Sequence, residues 1–233
     1  MGARSKLAPK SKSVGVTQHV LQLFPTLSPH SEDQFSLPKW AELIAAVPIN
    51  YGSNVEIFGE REPAEYLYKI VEGAVRTFNV LSDGRRQIAG FYLSGDFFGL
   101  GNGDEHILSA ETITRSKILI IKRSVLAVMA EHDAEVARQL WKLTGDELKR
   151  SQTHVTLLIK SARERVAYFL LEMAARTPDS SKINLPMTRR DIADYLGLTI
   201  ETVSRILGSF EAAAAIKRPT SRHLVLRNRA ALS

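Results

Sequence analysis

From Ser124 to Ala175 the chain carries no proline and a single glycine, Gly145, so nothing in this stretch forces a helix to stop. Apolar residues recur at Val136, Leu140 and Leu143, then at Leu148, Val155 and Leu158, which is helical spacing. A run of this length serves partner contact, breaks into two helices joined by a bend, or packs as a helix on its own barrel. Val136, Leu140, Leu143 and Glu147 are the expected lining of a homodimer interface. The residues before it follow another rule. Tyr66–Val71, Ala74–Leu81 and Gln87–Leu93 are short β-type runs separated by turn signals. Asp83-Gly84 between two of them predicts a type I′ hairpin turn, because glycine tolerates a positive φ. Gly95-Asp96-Phe97-Phe98-Gly99 marks another turn, and Glu111–Ile121 a last strand. Closely spaced short strands without a helical period predict a small barrel or jelly roll. A separate amphipathic helix is expected at Arg163–Leu171, ending before Thr177-Pro178-Asp179, and a short helix around Pro38–Val47.

Charge is unevenly placed along this layout. Of the formal net charge of +6, residues 160–233 hold thirteen Lys/Arg against seven Asp/Glu. Residues 1–15 hold four basic residues and no acid, which leaves the middle of the chain acidic. A basic C-terminal third beside an acidic middle points to a polyanion-binding module joined to a second domain. The absence of cysteine excludes disulfides, thiolate metal sites and cysteine-held iron–sulfur clusters. Met1–Ser13 carries Arg4, Lys6, Lys10 and Lys12 with no apolar core, which argues against a secretory signal. No apolar run approaches a membrane span, so a cytoplasmic protein with no membrane partner is expected. A glycine-rich phosphate loop, a nucleophile elbow and an HExxH motif are all missing, and the chain is not read as an enzyme.

Function concentrates in Thr188–Phe210. Thr188-Arg189-Arg190-Asp191 has the form of a capping box, in which the threonine hydroxyl and the acid satisfy amides reciprocally. Ile192, Ala193 and Leu196 give a short helix its apolar face, Gly197 breaks it, and Thr199 caps a second helix from Ile200. Val203, Ile206, Leu207 and Phe210 form one stripe of that second helix, and Glu201, Ser204 and Arg205 form another. A helix-turn-helix protein places the first turns of its second helix in the major groove of double-stranded DNA. Glu201, Ser204, Arg205 and Ile200 are thus the expected base readers. Thr188, Arg189, Arg190, Thr199 and Thr202 are the expected phosphate contacts. Arg189 and Arg190 oppose the dipole at a helix start, a cost that phosphate binding would offset. Ile216–Arg227 reads as a hairpin flanking the helices as a basic wing. A surface i,i+4 salt bridge between Glu201 and Arg205 is the competing explanation of the polar stripe.

These residues bring out a resemblance. Gly95–Gly99, Ala162–Leu170 and Thr188–Arg205 are similar to segments of the CRP/FNR family of bacterial transcription regulators. Pro219–Arg222 and Val225–Arg229 are similar to its FixK-type branch, which regulates low-oxygen respiration and nitrogen-fixation genes. Glu201-Thr202-Val203-Ser204-Arg205 matches the Glu-x-x-Ser-Arg pattern of that group. The resemblance implies an α+β fold. Its parts would be an N-terminal β-roll of the cyclic-nucleotide-binding type over residues 36–123, a long dimerisation helix over 124–160, and a C-terminal winged helix-turn-helix over 161–233. Residues 1–35 are expected to be a disordered basic arm. It also implies an activator that contacts RNA polymerase and reads a TTG-like half-site facing a CAA-like one. No cofactor is expected. Gly99 is followed by Leu100-Gly101-Asn102-Gly103, without the acid and Arg-Ser pair that hold a cyclic nucleotide, and a buried phosphate without an arginine is costly. His19, His30, His106, His132, His154 and His223 show no metal-ligand spacing. A regulator of the same fold gated by a small anion or haem is the alternative.

Overall fold

A computed structural model describes residues 47–101, 103–177 and 179–232, and the expected basic arm and the helix expected around Pro38 lie outside them. The first half is a roll of two four-stranded sheets. One has the order β1 (Ile49–Tyr51), β8 (Ser116–Lys122), β3 (Tyr66–Glu72), β6 (Phe97–Phe98). The other has the order β2 (Glu56–Phe58), β7 (Ser109–Thr112), β4 (Ala74–Val80), β5 (Arg86–Leu93). Residues alternate between the two faces of each strand, and both sheets send large side chains inward. Phe58, Tyr68, Ile70, Val75, Tyr92, Phe98 and Ile118 meet there, with Phe98 stacked 5.0 Å from Tyr68.

Three features of the roll differ from the sequence expectation, the first being that Phe97–Phe98, inside the expected turn Gly95–Gly99, form the short strand β6. The stretch Glu111–Ile121 is two strands, β7 and β8, because the chain turns at Ile113–Arg115 between the sheets. The Asp83-Gly84 hairpin is not a two-residue type I′ turn. Only Gly84 has a positive φ, 80°, and Leu81 N–H donates to the Arg85 carbonyl at 2.8 Å. This is a three-residue loop in which glycine alone takes the left-handed conformation.

The proline-free stretch forms two helices, α1 (Arg123–His132) and α2 (Ala134–Leu158), parted at Asp133. The Asp133 side chain accepts from Glu135 N–H and starts the second helix. Val136 is 3% exposed and packs with Leu67, Phe97, Ile121 and Leu126 of its own subunit, and Leu140 and Leu143 lie against the same cluster. Glu147 accepts from the Tyr92 hydroxyl at 2.7 Å. The four residues expected at a subunit interface lie on the face of α2 turned to the chain's own roll, Val136 buried there and Leu140, Leu143 and Glu147 half-buried. They share the inner face of α2, and the roll offers that face an apolar surface. About a third of a turn round the helix, Trp141, Leu148 and Val155 repeat every seven residues. They are 81%, 59% and 67% exposed, and Ile159 just beyond the helix is exposed as well.

After α3 (Ala162–Ala175), a three-stranded sheet and two helices complete the second half. Ser161 and Glu164 form a capping box at the start of α3. β9 (Lys182–Asn184) precedes the helices α4 (Arg189–Leu196) and α5 (Ile200–Ala212), and β10 (Ile216–Lys217) and β11 (His223–Leu226) follow them. The sheet order is β10-β11-β9. One apolar core joins both halves: Ile88 and Phe91 of β5 pack with Phe169, Tyr195, Leu196, Leu207 and Phe210. No helix among the described residues is long and apolar enough to cross a membrane.

The packing of α2 makes a prediction. Val136→Asp is expected to destabilise the subunit by about 3–5 kcal/mol in urea unfolding, since it buries an unpaired charge. A variant of normal stability that only fails to associate would return Val136 to an interface.

Candidate nucleic-acid interface

The helix pair α4–α5 is built by local hydrogen bonds. The Thr188 hydroxyl accepts from Asp191 N–H at 3.1 Å, and Asp191 Oδ2 accepts from Thr188 N–H at 2.9 Å and from its hydroxyl at 2.7 Å. The capping box read from the sequence is thus present at the start of α4. Gly197 ends α4 at φ 62° and ψ 42°, a left-handed conformation that β-carbon sterics disfavour in other residues. The Thr199 hydroxyl then accepts from Thr202 N–H at 3.2 Å and starts α5. Gly197 and Thr199 fix the turn between the helices.

Helix α5 divides as its sequence requires. Val203, Leu207 and Phe210 are buried, with Ile206 packed beside them. Glu201, Ser204 and Arg205 are exposed in the first two turns. No ion pair joins Glu201 to Arg205 among the described residues. The Glu201 backbone N–H and the Thr199 side chain hold the Glu201 carboxyl below the usual carboxylate range. The face therefore presents an ionised acid, a hydroxyl and an open guanidinium fork. Ile200 is half-buried and rests against the core, leaving part of its side chain free. Thr188 and Thr199 are exposed and Thr202 half-buried.

Arg189 and Arg190 go different ways. Arg190 is exposed. Arg189 is half-buried, and its Nη2 donates to the Ser221 carbonyl at 2.9 Å. Its Nη1 is buried without a hydrogen-bond partner. Burial, with Arg218 nearby, lowers the Arg189 pKa. Ser221 belongs to the wing turn, where the Thr220 hydroxyl accepts from His223 N–H at 3.0 Å. Arg189 thus braces the wing against the first helix, a role its place in the sequence did not suggest. Arg218 is held by Glu211 at 2.5 Å, whereas Arg222 is exposed at the wing tip.

Other contributors carried no sequence signal. β9 completes the wing sheet although its three residues show no strand pattern. Arg86 reaches from the roll to α4 across more than a hundred residues of chain. The histidines named above that the structure describes hold no metal cluster. His154 donates from Nε2 to the Tyr195 carbonyl at 2.8 Å and stacks on that ring, with burial lowering its pKa. His106 stacks on Phe58 at 3.6 Å.

Comparison with known proteins agrees with this geometry. Residues 164–233 match the Crp-like helix-turn-helix domain, and residues 48–133 match the cyclic nucleotide-binding domain. The chain is 44% identical over 200 residues to the nitrogen fixation regulation protein FixK of Azorhizobium caulinodans, covering 82% of this chain and 81% of that one. It is 33% identical over 171 residues to the fumarate and nitrate reduction regulatory protein of Vibrio cholerae, covering 70% of this chain and 68% of that one. The solved structure of FixK2 from Bradyrhizobium japonicum superposes with a TM-score of 0.78 at 49% identity, over 81% of this chain and 96% of that one. The chain belongs to the CRP/FNR family of transcription regulators, in its FixK-type branch. It is a DNA-binding regulator built from a β-roll and a winged helix-turn-helix, and not an enzyme.

The two arginines at the start of α4 are separable by experiment. Arg190→Ala is expected to reduce the slope of log affinity against log salt by about one, the signature of one lost phosphate contact. Arg189→Ala is expected to leave that slope nearly unchanged and to speed amide exchange at Ser221–His223. Equal slope losses in both variants would place Arg189 on a phosphate.

Proposed function

We propose that the protein binds a TTG…CAA-like palindrome as a homodimer, without a small effector, and activates genes of the low-oxygen and nitrogen-fixation type. The observation that carries this reading is the exposed Glu201–Ser204–Arg205 face on the first two turns of a capped, core-anchored helix. Arg205 donates its fork to O6 and N7 of a guanine, the two acceptors that match it. Glu201, one turn earlier, accepts from a cytosine amino group, and Ser204 lies between them. The free part of Ile200 covers a thymine methyl. Thr188, Arg190, Thr199, Thr202 and the amide groups at the two helix starts meet phosphates and set the register. Arg189 works mainly by holding the wing. Activation through RNA polymerase rests on the family, and the class of target genes on its nitrogen fixation regulators of the FixK type.

The dimer reading moves to the outer face of α2. Trp141, Leu148 and Val155, with Ile159 beyond, form a heptad stripe that a second copy of the same helix would cover. Leu148→Asp combined with Val155→Asp is expected to give folded monomers in sedimentation and to abolish binding to the full palindrome. A dimer that survives both changes places the interface elsewhere.

Independence from an effector is supported by the core shared between roll and winged helix, which already joins the two halves. Base reading is tested by a base-by-base affinity profile. Arg205→Ala is expected to cost about 1–3 kcal/mol and to relax preference at one G·C pair per half-site. Glu201→Ala should loosen the adjacent position. If both variants keep the wild-type preference and lose only overall affinity, α5 is not the reading helix.

A further inference from the structure

Besides the shared apolar core, two links between the winged helix and the rest of the molecule carry direction. The first attachment is covalent and short: α2 ends at Leu158 and α3 begins at Ala162, with Ile159–Ser161 between them. A domain held only there could swing about those residues. The second attachment is made by two arginines of the roll. Arg86, at the start of β5, donates from Nη2 to Asp191 Oδ1 at 2.5 Å and to Asp194 Oδ2 at 2.9 Å, and from Nε to Asp194 Oδ2 at 3.1 Å. Arg76, on β4, brings Nη1 within 3.3 Å of Asp191 Oδ1, while its Nη2 is held by Glu111 at 2.7 Å and by Asn54 at 3.2 Å. The Arg86 guanidinium lies over the Phe78 ring, 5.6 Å from its centroid.

Asp191 is the hinge of this arrangement. Its side chain is 2% exposed, and its two oxygens have different tasks. Oδ2 caps the start of α4 through Thr188, and Oδ1 receives the arginines of the roll. Asp191 and Asp194 are three residues apart, so they sit on one face of α4. A planar fork that spans two carboxylates on one helix face restrains the helix in rotation as well as distance. The apolar contacts nearby, such as Phe91 against Tyr195 at 5.1 Å, add attraction with much weaker directionality.

We propose that Arg86 and Asp194 are positioning residues for DNA reading: through Asp191 and Arg76 they fix the angle at which each subunit holds its reading helix, and so the half-site spacing the dimer accepts. The latch leaves the reading face open, since Glu201, Ser204 and Arg205 are exposed with it closed. It therefore sets geometry and does not block binding. The proposal rests on the reading that two copies of α5 engage two half-sites, whose separation is fixed by protein symmetry.

The test uses the full chain and a set of duplexes. They carry the preferred palindrome at its natural spacing, the same half-sites with one or two base pairs inserted or removed, and a single half-site. Wild type, Arg86→Gln, Arg86→Lys and Asp194→Asn are compared by fluorescence anisotropy, with thermal unfolding as the check on folding. Wild type is expected to lose about tenfold or more in affinity for a one-base-pair change of spacing. Arg86→Gln and Asp194→Asn are expected to reduce that penalty to about threefold or less, with half-site affinity unchanged. Arg86→Lys, which keeps the charge and loses the fork, should fall between. Folded variants that keep the wild-type spacing profile overturn the proposal. So does an equal loss of affinity for every duplex, including the half-site, because a merely structural role would act that way. A wild-type protein indifferent to spacing overturns the two-half-site reading itself, and the latch proposal with it.

Discussion

The packing of β5 against the helices of the C-terminal half is the constraint on which the rest of the molecule depends. One face of this strand closes the roll, where Tyr92 meets Phe98. The other sends Ile88 and Phe91 into the core of the winged helix, where Phe91 meets Phe169 and Tyr195. A strand buried on both sides cannot shift register by one residue without exchanging its two faces. The polar groups around it are arranged to permit that burial. Arg176 at the end of α3 donates to Asp96 in the turn after β5 and to the Phe91 carbonyl. Burial works to raise the Asp96 pKa, but the guanidiniums of Arg176 and Arg150 and the Leu93 N–H together hold it below the usual carboxylate range. Glu172, half-buried beside them, is pushed the other way by desolvation. Breaking such a network by removing one partner strands the others, so it fixes the arrangement more firmly than its net energy suggests.

Much of this was legible in the sequence where the determinants are local. The caps made by Thr188, Asp191 and Thr199 and the break at Gly197 each act within a few residues, and all four are where their local chemistry puts them. The buried stripe of α5 follows from spacing alone, and so does its exposed acid–hydroxyl–arginine face. The boundary between strands and helices follows from the change in proline and glycine usage. What the sequence hid was which face of a helix meets which neighbour. Helix α2 carries two apolar stripes about a third of a turn apart. Spacing runs them together as one helical series without Trp141, and only the roll decides that Val136 faces inward and Trp141 outward. Arg189 is expected at a phosphate because, like Arg190, it opposes the dipole at a helix start, and no local rule shows that its Nη2 also donates to the Ser221 carbonyl of the wing. Arg86 and Asp194 are separated by more than a hundred residues, and no local rule pairs them.

The order of strands in the wing sheet has a consequence for how the protein is made. β9 comes before the helix pair and β11 after it, and the two are neighbours, so α4 and α5 lie inside a loop closed by strand pairing. Leu224 and Leu226 of β11 and Leu232 beyond it enter the same core as Ile192, Leu196 and Phe210. On a ribosome the roll can close once Lys122 has emerged, because its strands need nothing downstream to pair. The reading helix has no such freedom. Its buried stripe stays partly uncovered until the last strand is synthesised, and a chain that ends before residue 223 has the paired strands of the roll but an open wing sheet beside the reading helix.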